Sequence, residues 1–506
     1  MTISLTLRQR LVCLGLLIGI APLAVRGAET DDARYHWFSV PIEVSGLPPD
    51  AQFVPVSCPI DLTVILSRWN VSGAVDERSL RLFRLLPDGT QAEQPVQFTG
   101  APQPGPKTRR LLPDTASGVS YLTEYAAHEK AEIKVAGTLT WIAQAGEKGS
   151  GRYRLKCGVP RDGRLIQVPY PPQNLRVFDG QGRATPLRYF PRMQIRPQWP
   201  LDGVVQLSEQ QQLITAYHVG PTLDQAKSPA SSIRRPFLYP VIGPDGVPLT
   251  EFGKPHDPTG SHAHHYSLWI AHASVGGQDF WSEKGGVIAH EQLEYQEDGP
   301  VYCRLVQTTR WLRDNVDYLH ERRSLTVYRA AQDFRLLDLD LEFTPAGSEA
   351  TELGKTPFGF LAVRVAQSMT PFDGGGEIVN ARGDRNETAA LWKRAAWLDQ
   401  SGPIAAGTAE LSDGASPAPA RWGGIAIFDH PDNVNHPTVW HCRNDGWAGA
   451  ALNAEGPTKV RAGEKLRLRY RIYLHRHNAI EGQVAERYEE YRSPPALRSG
   501  EPVKSD

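Results

Sequence analysis

The chain of 506 residues sets 55 Lys and Arg against 56 Asp and Glu, a formal net charge of −1. Apolar residues make up 40% and charged residues 22%, an ordinary globular balance in a chain long enough for two or three cores. A field this weak and this mixed argues against nucleic acid and against a charged membrane surface as partners.

Residues 1–28 read as an export signal. Arg8 and Arg10 precede an apolar run over 11–25, and the small residues Gly27 and Ala28 follow. The run is short for a membrane span. Without this segment 52 basic residues face 56 acidic ones, about −4. The expectation is an exported protein, periplasmic or extracellular, with no membrane association after cleavage. Cys58, Cys157, Cys303 and Cys442 would then sit where disulfides are permitted. No CxxC spacing occurs, and spacing does not settle their pairing.

The fold class expected is all-β. Over 30–200, the stretches 62–66, 79–84 and 131–135 alternate with period two, separated by turn-rich segments. They predict a small accessory β-sandwich. From Val204-Val-Gln-Leu and Leu213-Ile-Thr-Ala-Tyr a second region opens as a hairpin, and strands recur to about His477. A region this long, 203–480, predicts a large two-sheet sandwich with functional loops. The remainder, 481–506, reads as a C-terminal helix and tail, and 401–420 as a small-residue, proline-rich loop.

Two segments hold most of the unusual chemistry: GSHAHHYSLWIAHASVGGQDFWSE over 260–283 and FDHPDNVNHPTVWHCRNDGWAG over 428–449. Imidazole donates, accepts or titrates near neutrality, and indole offers a flat apolar face with one donor. In a strand over the first segment, Leu268 and Ile270 would face the core, and His265 and Trp269 the working face. This ranks His265 above His264. In PFGFLAVRV, Leu361, Val363 and Val365 would face inward and Phe358, Phe360, Ala362 and Arg364 outward. Arg364 would either grip a ligand carboxylate or hydroxyl, or pair with a neighbouring acid. Ile425 and Ile427 face inward in a strand that ends at Asp429-His430-Pro431, where loops carry function. Asp338, Asp340 and Glu342 in one strand, and Arg467, Arg469 and Arg471 in another, read as solvated faces paired across a sheet.

The motifs RPFLYP at 235, HHxxLW at 264, VGGQDFW at 275, PFGFLAVRV at 357, GIAIFDHP at 424 and WHxRxDGW at 440 occur in this order. Over about 204–477 the chain resembles the exported bacterial domains labelled the PmoA family, of unknown function. The resemblance implies a large sandwich similar to the galactose mutarotase-like folds, in proteins associated with carbohydrate use. The methane-oxygenase sense of that label does not fit, because it requires several transmembrane helices. The family often shows DHPHHRGLW; here Tyr266 and Ser261 replace its Arg and Asp. Mutarotases also use a late-strand Glu base. No motif here matches that Glu, and Glu283 and Glu377 are the candidates to take its place.

The leading expectation is a sugar-processing protein acting as an epimerase, lyase or hydrolase, with no cofactor and a carbohydrate or other small polar ligand. His265 with His430 or His441 would supply donor and acceptor, and Asp429 or Asp445 would orient an imidazole or take a proton. Arg364 and Arg443 would hold a carboxylate or hydroxyl, Trp269 and Trp440 would stack on the ring, and His264 and His436 would contact substrate. A non-catalytic carbohydrate-binding or periplasmic interaction protein fits the same residues. A His-ligated metal protein is the lesser alternative, since His-x-His-His on a strand sends its rings to both faces.

Overall fold

The computed structural model describes residues 35–49, 51–67, 75–100, 135–146, 149–161, 177–178, 184–185, 192–198, 203–226, 233–254, 262–282, 284–404 and 421–505. The expected export segment lies outside them, as does most of the small-residue loop. Residues 401–403 of that loop finish the strand Trp397–Pro403.

The first unit is two antiparallel sheets around one core. Tyr35–Ser45 pairs with Ser150–Pro160, which pairs with Asp76–Leu85, followed by Gln91–Gln94. Val54–Asp61, Ala136–Ala143 and Val96–Gly100 form the second sheet. Val40, Ile42, Leu82, Leu139, Trp141 and Leu155 are buried between them. The expected strand over 62–66 is instead a short helix, Leu62–Ser67. Asp61 Oδ1 accepts the N–H groups of Thr63 and Val64, each at 3.1 Å. That cap satisfies donors that a new helix leaves open, and it outweighs the alternation.

The larger unit stacks a nine-stranded sheet on an eight-stranded one. Leu268, Ile270, Leu361, Val363, Ile425 and Ile427 all enter the core between them, as their alternation predicts. Phe360 departs from its predicted face and joins the same core. Gly359, at φ +138°, breaks the alternation where the strand begins, and Phe360 stacks on Trp311 at 6.1 Å. On the eight-stranded sheet Asp338 lies opposite Arg471, Asp340 opposite Arg469 and Glu342 opposite Arg467. Arg471 Nε donates to Asp338 at 2.6 Å, so the charged faces pair as expected. The helix Val484–Arg492 covers part of this outer face through Val484 and Tyr488.

The tail does not trail. Ala496–Ser499 and Val503–Ser505 both pair with Tyr35–Ser45 and extend the first unit's sheet at its edge. A second tie is Glu297, fully buried, which accepts from Gln97 Nε2 at 3.0 Å, Thr99 Oγ1 at 2.7 Å and Tyr302 OH at 3.1 Å. All four cysteines among the described residues are buried free thiols. Burial pushes Cys157 and Cys442 up to about 12. No helix among the described residues is long and apolar enough to cross a membrane.

A chain ending at Ser493 loses both added strands and opens the edge of Tyr35–Ser45. Its unfolding midpoint is expected to drop by several degrees, with faster amide exchange concentrated in Tyr35–Ser45. Scanning calorimetry that finds an unchanged midpoint would show that the tail contributes nothing to stability.

Candidate functional site

One row of residues crosses the outer face of the nine-stranded sheet. Phe237 lies opposite Trp269, Trp269 opposite Ala362, Ala362 opposite Gly449, and Gly449 opposite His441. The middle of the row is an alanine and a glycine. The indole of Trp447 fills the space that these two small, buried residues leave between Trp269 and His441. A Cβ at position 449 would come within 3.0 Å of Trp447. A cleft of about 480 Å³ opens here, bounded by Trp447, Phe358, Phe372, His441 and the loop Arg443–Asp445. It adjoins a recess of about 280 Å³ lined by His262, His264, His265 and Trp281.

Arg364 ties the site together. It is 1% exposed on the strand Gly359–Arg364, beside Trp447 in register. Its Nε donates to His265 Nδ1 at 2.9 Å and its Nη1 to the Asp445 carbonyl at 2.7 Å. Its Nη2 reaches Asp445 Oδ2 at 3.4 Å. Pairing with an acid is one of its two expected roles, and Asp445 is that acid. Burial raises the Asp445 carboxyl, but Arg364 and Lys254, 3.3 Å away, outweigh it and hold the group below its ordinary value. Asp445 Oδ1 is buried at the cleft wall with no hydrogen-bond partner among the described residues.

The partners of the two imidazoles assign their protons. A guanidinium N–H can only donate, so His265 Nδ1 accepts and its proton sits on Nε2. His441 Nδ1 lies 3.2 Å from the Pro357 carbonyl, which can only accept. His441 therefore carries its proton on Nδ1 and keeps a lone pair on Nε2. Burial, with Arg364 beside it, holds His265 well below the ordinary histidine value. Burial also lowers His441 and His264 to about 4. At neutral pH the recess holds a donor imidazole and the cleft an acceptor imidazole, both uncharged. Both touch Trp447, with ring centroids at 5.5 and 4.4 Å.

Several expected site residues lie elsewhere. Trp440 is fully buried in the core, and its Nε1 donates to the Ala395 carbonyl at 2.8 Å, so it offers no ring to a ligand. Strand alternation puts it on the face opposite His441. Asp429, His430 and His436 do not line the cleft. Asp429 ends a strand of the other sheet, where its carboxylate accepts from Asn433 at 2.7 Å, His436 at 2.8 Å and the Thr438 N–H at 2.9 Å. His430 Nδ1 accepts the Asp432 N–H at 3.0 Å and packs edge-on to Tyr491. These three staple a loop against the C-terminal helix. Trp269 is 1% exposed and backs the ring of His265 at 5.3 Å instead of meeting solvent.

Arg443, His264 and His265 do line the cleft and its recess, as do His441 and Asp445. Glu387 joins them, a carboxylate that the chain's alternation does not single out. Its Oε1 lies 3.0 Å from Arg443 Nε, and its Oε2 accepts the Asn444 N–H at 2.9 Å. Glu377 instead pairs with Arg385, and Glu283 and Ser261 lie outside the described residues. Tyr266 is buried against Phe252, with Arg235 over its ring at 4.9 Å. Among the described residues, no three of His, Cys, Asp and Glu are placed to hold a metal ion together.

Two measurements check this geometry. Nitrogen-15 shifts of the parent protein are expected to show a single Nε2–H tautomer at His265. Arg364→Lys keeps the charge and loses the fork, and is expected to give mixed tautomers. Mixed tautomers in the parent would contradict the assignment. Stability should also depend on acid. His264, His272 and His441 are each lowered to about 4 in the folded state, against about 6.5 unfolded. The unfolded chain thus binds more protons between those values, and stability is lost as pH falls from about 6.5 toward 4. His272 alone contributes on the order of 3 kcal/mol. Denaturant midpoints that stay constant over that window would refute it.

Comparison with known proteins adds the following. No curated protein matches the chain. An alpha-mannosidase from Enterococcus faecalis V583 aligns at 7% identity and a TM-score of 0.36, over 92% of this chain and 46% of that one. A glycosyl hydrolase family 38 protein from Enterococcus faecalis aligns at 8% and 0.36, over 91% and 47%. The chain thus spans less than half the length of either. A family model matches residues 204–489, beyond the expected end at 477 and into the C-terminal helix. On that match, which takes in the whole cleft, the chain belongs to DUF6807, a family of unknown function.

Proposed function

We propose that this protein is an exported, carbohydrate-active protein and that the cleft beside Trp447 binds a sugar and moves a proton on it. The observation that carries this reading is the pair of neutral imidazoles of opposite polarity, His265 as donor and His441 as acceptor, set on one indole. Sugar rings present apolar C–H faces and hydroxyls that donate and accept, and this cleft offers complements to both. The mutarotase-like resemblance of the motifs points the same way.

The chemistry proposed is proton abstraction from a carbon next to a carbonyl or carboxylate. His441 Nε2 takes the proton, and the electron pair moves to the oxygen, which accepts from His265 Nε2–H. Arg364 keeps that donor oriented from behind. The intermediate then takes a proton from solvent water on the other face while His441 releases its own to solvent, an epimerisation, or expels a β-substituent with its electron pair, an elimination. Hydrolysis is less well supported, because each cleft carboxylate is engaged: Asp445 with Arg364 and Lys254, Glu387 with Arg443.

One observation favours a second reading, a binding protein without chemistry. Burial lowers His441 to about 4, which makes it a weak base. Incubating the protein in deuterium oxide with a panel of aldoses, ketoses and uronates separates the two by proton NMR. The catalytic reading expects deuterium at one carbon of one sugar, a loss of 10²–10⁴-fold in His441→Ala with binding retained, and a rate that falls as pH drops through about 4. Sugar binding with no exchange or turnover would leave only the binding reading.

A further inference from the structure

Phe372 is 78% exposed, the most exposed large apolar side chain among the described residues. Trp392 is 45% exposed and Phe358 41%. All three lie in or beside one cleft. Phe372 and Phe358 line it, and Trp392 packs on the ring of His441, itself a lining residue, at a centroid distance of 4.2 Å. Water-exposed aromatic rings gathered at the mouth of a polar cleft are uncommon without a ligand to cover them.

Backbone strain marks the same place. Trp392 has φ +61°, a left-handed conformation that a bulky residue rarely adopts. It is held there by its N–H, which donates to the Trp440 carbonyl at 2.9 Å, and by the edge strand Lys393–Arg394 that follows. Strain of this kind persists where the surroundings impose it, and it gathers at ligand clamps. The Phe372 N–H is likewise anchored, on the Asn444 carbonyl at 3.1 Å. Neither ring rides on a free loop.

Resting on the carbohydrate reading, we infer that Phe372 and Trp392 form an outer subsite that stacks on a second sugar ring, so that the ligand is an oligosaccharide and not a free monosaccharide. The inner ring lies against Trp447, which lines both the cleft of His441 and the recess of His265. The chain of sugars leaves the cleft past His441, where the two exposed rings meet its apolar C–H faces. Glu387 and Arg443, between the inner and outer positions, are placed to bond hydroxyls at the junction.

The test is calorimetric titration of the parent, Phe372→Ala, Trp392→Ala and His265→Ala with gluco-, manno- and galacto-oligosaccharides, neutral and uronic-acid, of one to four units. Phe372 is the cleaner probe, since its exposed side chain contributes little to folding. Expected for the parent is at least tenfold tighter binding of a disaccharide than of its monosaccharide. In Phe372→Ala the disaccharide should weaken about tenfold, bringing that ratio toward one, whereas His265→Ala should weaken both lengths together. Equal affinity for all lengths in the parent, or an undiminished ratio in Phe372→Ala, overturns the outer subsite and leaves the sugar site standing. A folded parent that binds none of these saccharides overturns both.

Discussion

A guanidinium that is 1% exposed cannot stay in a β-sandwich without partners, and the cleft is organised around meeting that demand at Arg364. Its partners come from two other segments: the ring of His265, ahead of one strand, and the backbone and carboxylate of Asp445, in a turn between two more. Three distant parts of the chain are drawn to one point. The backbone supports the same joint, with the Arg364 N–H donating to the Ser267 carbonyl at 2.7 Å. What burial requires of Arg364 also fixes the state of His265, because its Nε–H leaves that ring only one neutral tautomer.

The hollow itself has a different origin. It rests on Trp447, whose ring is seated where Ala362 and Gly449 separate Trp269 from His441 along one inter-strand row. The sheet supplies a rigid bed for that ring, and the opposite faces of the same strands are filled by Leu361, Val363 and Ala448. The cleft walls hold charge only in partnership, Arg364 and Lys254 sharing Asp445 and Arg443 facing Glu387.

The second histidine segment shows how similar residues come to different ends. His441 and Asp429 are twelve positions apart, yet one faces the cleft and the other staples a loop on the opposite sheet. His430, His436 and Asp429 satisfy one another and the turn that carries the chain between sheets. Trp440, adjacent to His441, is turned into the core by the pleat.

Much was legible from residues alone. Alternation identified the core faces of 268–272, 359–364 and 422–429, because in a sheet with one buried side apolar residues must recur every second position. It also placed Trp269 and Arg364 together on the outer face, and the charged faces of 334–345 and 466–476 paired as their signs require. Where a local interaction overrode the period, at the Asp61-capped helix and at Gly359, alternation misled. The sequence by itself determined an all-β chain and a small set of His, Trp and Arg from which a site could be made. Only the tertiary structure decided which of them meet, that Glu387 joins them, and which nitrogen of each imidazole carries the proton. Those outcomes depend on the order of strands in the sheet and on single hydrogen-bond partners from distant segments, and neither leaves a periodic mark in the chain.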